Sequence, residues 1–305
     1  MLKGQRILVT GATGQVARPL VEKLNAHNDV WAAARFSDPQ AKTELENAGI
    51  GTAFFSMGED DLSSLPDVDY VFHCGCNTDP KTPEIGISQN AEGTGFLMQR
   101  YKDAKAFLHM SSSSVYRVAA SSSEPVSEDG ELGGHAVYSP HYAMSKLAAE
   151  SVVRFQARQL NLPTIITRLD VAYGSRGHGG VPMIIYEFIK NGMSYTRSEA
   201  GDSYCSLIHE DDIAEQAQNL IMKASVPAPV VNLGGDDIAS VEEIIAYVEE
   251  LTGLKMKMET GPDASWGMKV LDNTLRQQLG GPCKVPWKEG VRSALSIRHP
   301  DAVVN

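Results

Sequence analysis

The chain is expected to fold as an α/β protein, a doubly wound parallel sheet joined to a smaller C-terminal unit. Three observations carry that expectation. Short apolar runs alternate with stretches of helical spacing up to Gly174. A loop of small residues, Gly11-Ala12-Thr13-Gly14, links the first apolar run to the first helical stretch. Beyond Gly174 the alternation loosens.

Taken in order, residues 7–10 (Ile-Leu-Val-Thr) read as a strand and residues 16–25 as a helix. Strands follow at 30–34, 52–55 and 68–72, the last preceded by Asp67. Helical spacing covers 87–105, then a strand at 107–110. A long helix runs from Pro140 to Leu160, and Pro163 leads into a strand at 164–169. Parallel strands need a crossover between them, so strictly alternating elements imply parallel pairing with right-handed connections. After the loop Gly177-His178-Gly179-Gly180, helices are expected at 181–190, 209–223 and 240–252, with a strand at 229–233. Asn191-Gly192 stops the first of these, and Ser240-x-x-Glu243 fits a capping box at the start of the last. The expected division is 1–174 plus 208–235 for the sheet domain and 175–207 plus 236–305 for the smaller one.

The 305 residues are 42% hydrophobic and 21% charged, enough for a sizeable core without covalent staples. With 27 Lys+Arg against 38 Asp+Glu the net charge is −11, which disfavours nucleic acid or an anionic membrane as partner. Four Cys are too few for a disulfide scaffold. Cys74 and Cys76 alternate along a strand and read as buried small residues, and no His/Cys cluster has metal-ligand spacing. No metal is expected. The first apolar run is too short for a signal peptide, and no later one reaches membrane length, so the expected location is cytoplasmic.

The loop Gly11 to Ala17 has the spacing G-x-x-G-x-x-A. Gly11 suits a tight turn, Gly14 lets backbone approach a pyrophosphate, and a helix beginning there offers free N–H groups to phosphate. The backbone of Gly11, Thr13, Gly14, Gln15 and Val16 is the expected cradle. At the end of the second strand, where an acid would bind a ribose 2′-hydroxyl, stand Ala34 and Arg35. The Arg35 fork, helped by Ser37, suits a 2′-phosphate and favours NADP over NAD, with Asp38 as a competing partner. Tyr142 and Lys146 lie one helical turn apart. A nearby ammonium and a positive nicotinamide favour the phenolate, letting Tyr142 exchange a proton with a substrate oxygen. Ser111 to Ser114 follow the fifth strand, at the sheet edge where ligands bind, and a hydroxyl there can hold the reacting oxygen.

With these residues in place, the chain resembles the extended short-chain dehydrogenase/reductase superfamily, also called the NAD-dependent epimerase/dehydratase family, whose fold is Rossmann-like with a C-terminal substrate-binding domain. The matching motifs are the Gly11 loop, Val71-Phe72-His73-Cys74-Gly75-Cys76, Asn90-Ala91-Glu92-Gly93-Thr94, the serine run, Tyr142 to Lys146, Arg168 to Gly174, and Ile208-His209-x-x-Asp212. The resemblance implies Ser112 as the catalytic hydroxyl, Tyr142 as acid/base, and Lys146 on the nicotinamide ribose. It adds Cys74, Gly75, Asn90, Leu169 and Val171 to the cofactor site. Thr78, Ser113, Ser114, Asp170, Arg176 and Met183 fall toward the substrate. A homodimer through the helices at 87–105 and 140–160 is also implied.

The chain departs from the family at several points. Ser113 and Ser114 stand where family dehydratases carry an Asp-Glu pair, so elimination chemistry is disfavoured. Val171 replaces an Asn, and Cys205 an Arg, both of which face the diphosphate in sugar-nucleotide enzymes. Arg176 or Arg197 is the candidate replacement. The first expectation is therefore an NADPH-dependent reductase (in reverse, an alcohol dehydrogenase) acting on a small or apolar carbonyl compound. The alternatives are a nucleotide-sugar epimerase that retains its cofactor and a non-catalytic NADP-binding sensor.

Overall fold

The computed structural model describes residues 2–59, 61–117, 123–133, 139–262 and 266–304. Its first half runs β1 (Arg6–Thr10), α1 (Ala17–Asn25), β2 (Asp29–Ala34), α2 (Pro39–Asn47), β3 (Gly51–Phe54), β4 (Tyr70–His73), α3 (Pro83–Gly86), α4 (Gly93–Arg100), β5 (Ala106–Ser112), α5 (Pro140–Leu160) and β6 (Thr164–Leu169). Then come β7 (Ala172–Tyr173), α6 (Val181–Lys190), β8 (Ser194–Ser198), β9 (Tyr204–Ser206), β10 (Ile208–His209), α7 (Glu210–Ile221), β11 (Val230–Leu233), β12 (Ile238–Ser240), α8 (Val241–Thr252), β13 (Lys257–Gly261), α9 (Thr274–Gly280) and α10 (Trp287–Arg298).

Seven strands form one parallel sheet in the order β11-β6-β5-β4-β1-β2-β3. Order reverses at β1 and β4, so a cleft opens beyond their carboxyl ends. The central strands are apolar on both faces because helices cover both. Leu20, Leu24, Ile213 and Ala217 of α1 and α7 pack with Ile7, Val9 and Phe72 on one side. Leu97 and Met98 of α4 and Val153 and Ala157 of α5 pack with Leu8, Val71 and Phe107 on the other. A further core joins Tyr173, Met183, Ile185, Ile244, Val248 and Leu295.

The capping box of α8 is formed in full: Glu243 N–H donates to Ser240 Oγ (3.0 Å), and Ser240 N–H to the Glu243 carboxylate (2.8 Å). The expected helix at 87–105 is present to Arg100: it follows directly on α3, widens to a π-type turn at Ile87–Glu92 and continues as α4. Two close approaches explain the widening. A Cβ on Gly93 would stand 2.6 Å from the Gly58 nitrogen, and Asn90, on the wide turn, points inward to hold the backbone of Asn77. Helix α2 was not expected, since Leu45 is its one buried residue; Asp38 caps it and Pro39 opens it. The two-strand sheets β7–β10, β9–β12 and β8–β13 are too short for a readable period. Among the described residues, no helix is long and apolar enough to cross a membrane.

Candidate active site

Because the sheet is parallel, the segments leaving β1, β4, β5 and β6 all emerge at one edge. Gly11 has φ +69°, and a Cβ there would lie 2.8 Å from Gly75 Cα, so the loops after β1 and β4 abut at glycine. Gly14 N–H turns back to Gly11 O (2.8 Å). No side chain caps α1; Gly14 O takes the Arg18 N–H (3.0 Å), so the helix start is turned onto the glycine loop itself. A groove of about 580 Å³ continues from Gly11, Thr13 and Gly14 past Arg35 and Ser37 to Thr78. Glycine contact, an uncapped helix start and a groove of this size fit a dinucleotide.

Arg35 is exposed and has no partner among the described residues, because Asp38 accepts from Gln40 N–H (2.9 Å) instead of competing for it. The Gln15 amide donates to Ala172 O (3.0 Å), tying the phosphate loop to β7 and leaving Val16 at the helix start. Asn90 accepts from Asn77 N–H (2.7 Å) and donates to Asn77 O and Ser145 Oγ (2.9 Å each), bracing the wall of the groove against α5. Its side chain is thus fully engaged with protein groups. Leu169 packs on the sheet core and Val171 on the C-terminal one. Cys74 is half-buried, and burial pushes its thiol up to about 12.

Ser112 ends β5, its Oγ accepts from Ser114 N–H (3.2 Å), and it stands close enough to the Tyr142 phenol to favour the phenolate. Cys76, expected to be a buried filler, is half-buried, lines the groove and stands near that phenol. Sequence reasoning missed it, although its place two residues after Cys74 at the end of β4 puts it at the sheet edge. Burial holds the Tyr142 phenol above the ordinary tyrosine range, Cys76 adds to this, and Ser112 opposes it. The expectation that Lys146 lowers the phenol is thus corrected: Lys146 Nζ donates to Met110 O (2.7 Å), and burial lowers its own pKa. Beneath them Glu150 grips Arg168 through two bonds, Nε at 3.0 Å and Nη2 at 2.8 Å, and accepts from Ser111 Oγ (2.6 Å). That buried cluster fixes α5 against β5 and β6 and so aims Tyr142 and Lys146.

Toward the substrate side, Asp170 accepts from Ser113 Oγ (2.7 Å) and Ser206 N–H (2.9 Å). Arg176 does not join it: its guanidinium is held by Glu22 of α1 at 3.1 Å. Arg197 is held by Asp202 at 2.7 Å. Met183 is 1% exposed in the C-terminal core, which corrects its expected place in the pocket. Cys205 is fully buried, its thiol on Ala239 O. Among the described residues, no group of His, Cys, Asp and Glu is arranged to hold a metal.

The profile of the NAD dependent epimerase/dehydratase family matches residues 7–234. The chain is 27% identical to UDP-glucuronic acid decarboxylase 6 of Arabidopsis thaliana over 301 residues, covering 94% of this chain and 86% of that protein. It is 26% identical to dTDP-D-glucose 4,6-dehydratase of Homo sapiens, covering 95% and 88%. Its fold superposes on UDP-glucose 4-epimerase of Thermotoga maritima with TM-score 0.81 at 22% identity, covering 96% of this chain and 98% of that one. With UDP-glucuronic acid 4-epimerase of Bacillus cereus, solved with NAD, the TM-score is 0.82 at 20% identity, covering 97% and 99%.

Proposed function

Since the chain belongs to the NAD-dependent epimerase/dehydratase family, we propose that it exchanges hydride with a secondary carbinol of a sugar-type substrate, in the epimerase manner. The observation that supports this reading is that β5 ends at Ser112 beside the Tyr142 phenol, which stands one helical turn from Lys146 on α5, while Cys76, beside the same phenol, lines the groove. A bound nicotinamide supplies the hydride acceptor and donor. Tyr142 takes the carbinol proton and later returns it, Ser112 holds the oxygen, and Lys146 holds the ribose. In the epimerase cycle the hydride returns to the opposite face of the same molecule. The similar proteins named above carry UDP- and dTDP-sugars in their names, which favours this reading over the simple reductase. Elimination is disfavoured, since Ser113 and Ser114 offer no carboxyl group as acid or base.

A net NADPH-dependent reductase is the second reading. It is favoured by Val171 and Cys205 packing in apolar surroundings and by Arg176 and Arg197 both being paired with acids, which leaves a diphosphate poorly matched. An assay of NADPH and NADH over UDP-sugars, ketones and aldehydes separates the two. Conversion of a UDP-sugar to its epimer without net cofactor loss supports the first, and stoichiometric NADPH oxidation supports the second. Cofactor binding with no turnover of any kind overturns both and leaves a binding protein.

The unpaired Arg35, beside Ser37, supports NADP as the preferred cofactor, with NAD also accepted. A cytoplasmic homodimer completes the proposal. Exposed Ile85, Ile87, Phe96, Met144 and Phe155 on and around α4 and α5 support the dimer.

A further inference from the structure

Among the described residues, two that are not glycine have a positive φ. Asn161 (φ +50°) ends α5, where a left-handed residue is ordinary. Phe36 (φ +49°) ends no helix. It follows β2 and lines the groove of about 580 Å³. The left-handed region is unfavourable for a bulky side chain, so the conformation is strained. Such strain persists only where the surroundings hold it in place.

The chain is held on both sides of Phe36. Upstream, Ala34 is the last residue of β2, and its O accepts from Phe55 N–H (3.0 Å), which fixes it beside β3. Downstream, Asp38 accepts from Gln40 N–H (2.9 Å), and Pro39 opens α2. Arg35, Phe36 and Ser37 are all that joins these anchors. A strand continuing past Ala34 would point successive side chains to opposite faces. Instead, every residue from Ala34 to Asp38 borders the one groove. The left-handed turn at Phe36 breaks the alternation, and its partly buried ring packs on the core that carries α1. A glycine would allow the same φ but would leave it free to change. The Arg35 guanidinium has no partner among the described residues, so the backbone turn, rather than an ion pair, sets its direction.

We propose that Phe36 is a positioning residue for cofactor choice, whose left-handed turn aims Arg35 and Ser37 together at the 2′-phosphate of NADP. Phe36 has no polar side-chain group to offer a phosphate, so it acts through Arg35. This rests on Arg35 as the group that selects NADP and adds the device that orients it.

The test is a set of fluorescence titrations with NADPH and with NADH, read as the ratio of the two affinities. The wild type is expected to favour NADPH by about 10- to 100-fold, and Arg35→Ala to remove that preference. Asn accepts a left-handed backbone, so Phe36→Asn is expected to keep the ratio within about threefold of the wild type. A β-branched residue does not, so Phe36→Val is expected to bring the ratio toward unity while NADH affinity, the check on folding, stays level. Phe36→Ala, which crowds the core less, repeats the comparison with Asn if the Val variant does not fold. In the Arg35→Ala background, Phe36→Val should change the ratio no further, because the two act as one unit. A wild type without preference for NADPH, or a preference that survives Arg35→Ala, would remove the Arg35 reading and this proposal with it. A preference lost in Arg35→Ala but kept in both Phe36→Val and Phe36→Ala would overturn the role of Phe36 alone. Equal losses of NADPH and NADH affinity in all three Phe36 variants would do the same, since they would mark the ring as a contact for a part common to both cofactors.

Discussion

At the scale of single residues, the phenol of Tyr142 is governed more by burial than by its lysine. Burial raises it, which suits it to be the acid in carbonyl reduction; the oxidative half of the cycle needs it as the base, a form that the positive ring of a bound nicotinamide favours. The rate of reduction is expected to stay level from about pH 6 to about pH 9 and to fall only beyond the ordinary tyrosine range near pH 10. Alcohol oxidation needs the phenolate, so its rate is expected to climb over the same interval. A reduction rate falling through an apparent pKa near 7 would contradict this assignment. Tyr142→Phe is expected to lower turnover about 10²- to 10⁴-fold while a fluorescence titration shows cofactor still bound. Arg35 makes a separate prediction. Its guanidinium has no internal partner, so Arg35→Asp should leave folding intact and lower the NADPH-to-NADH ratio of kcat/KM by about 10- to 100-fold, the worth of a charge-assisted hydrogen bond. An unchanged ratio would remove the NADP preference.

At the scale of elements, the register between α5 and the sheet depends on the Glu150–Arg168 pair, which is almost wholly buried (3% and 1% side-chain exposure). Removing one charge strands the other. Glu150→Leu should therefore cost about 3–5 kcal/mol in urea unfolding, while Glu150→Leu with Arg168→Met should recover most of it. A double variant no better than the single would mean that the pair adds net stability. The same elements show what was legible in the sequence. Helix α5 and strand β6 fall where expected, because Pro140 opens one and Pro163 precedes the other, signals local to the chain. The π-type widening of the helix expected at 87–105 was not legible, because Gly93 meets Gly58 and Asn90 meets Asn77, contacts between segments distant in sequence. The glycine loop and the serine run were legible because the ends of parallel strands must share an edge, and Tyr142 by its spacing from Lys146; the choice of Ser112 within the run came from the family resemblance. Cys76 was not legible, since two cysteines alternating along a strand end read as filler, and only the folded loops after β1 and β4 put Cys76 on the groove.

At the scale of the whole molecule, a net charge of −11 sets copies of this chain against one another. Association must then come from apolar surface, and α5 offers it. Met144, Ser151 and Phe155 fall on one stripe at spacings of seven and four, and Phe155 is 64% exposed. Phe96 of the neighbouring α4 is 44% exposed beside it in a packed pair of helices. Two such pairs brought together around a twofold axis make a four-helix interface that covers these side chains. Sedimentation is expected to show a dimer, and Phe96→Glu with Phe155→Glu a monomer that still binds cofactor. Salt distinguishes the cause. Between two acidic copies held by apolar contact, raising ionic strength screens repulsion and tightens the dimer, whereas an interface held by exposed ion pairs would loosen. Dissociation at high salt, or a monomeric wild type, would remove this interface from the account.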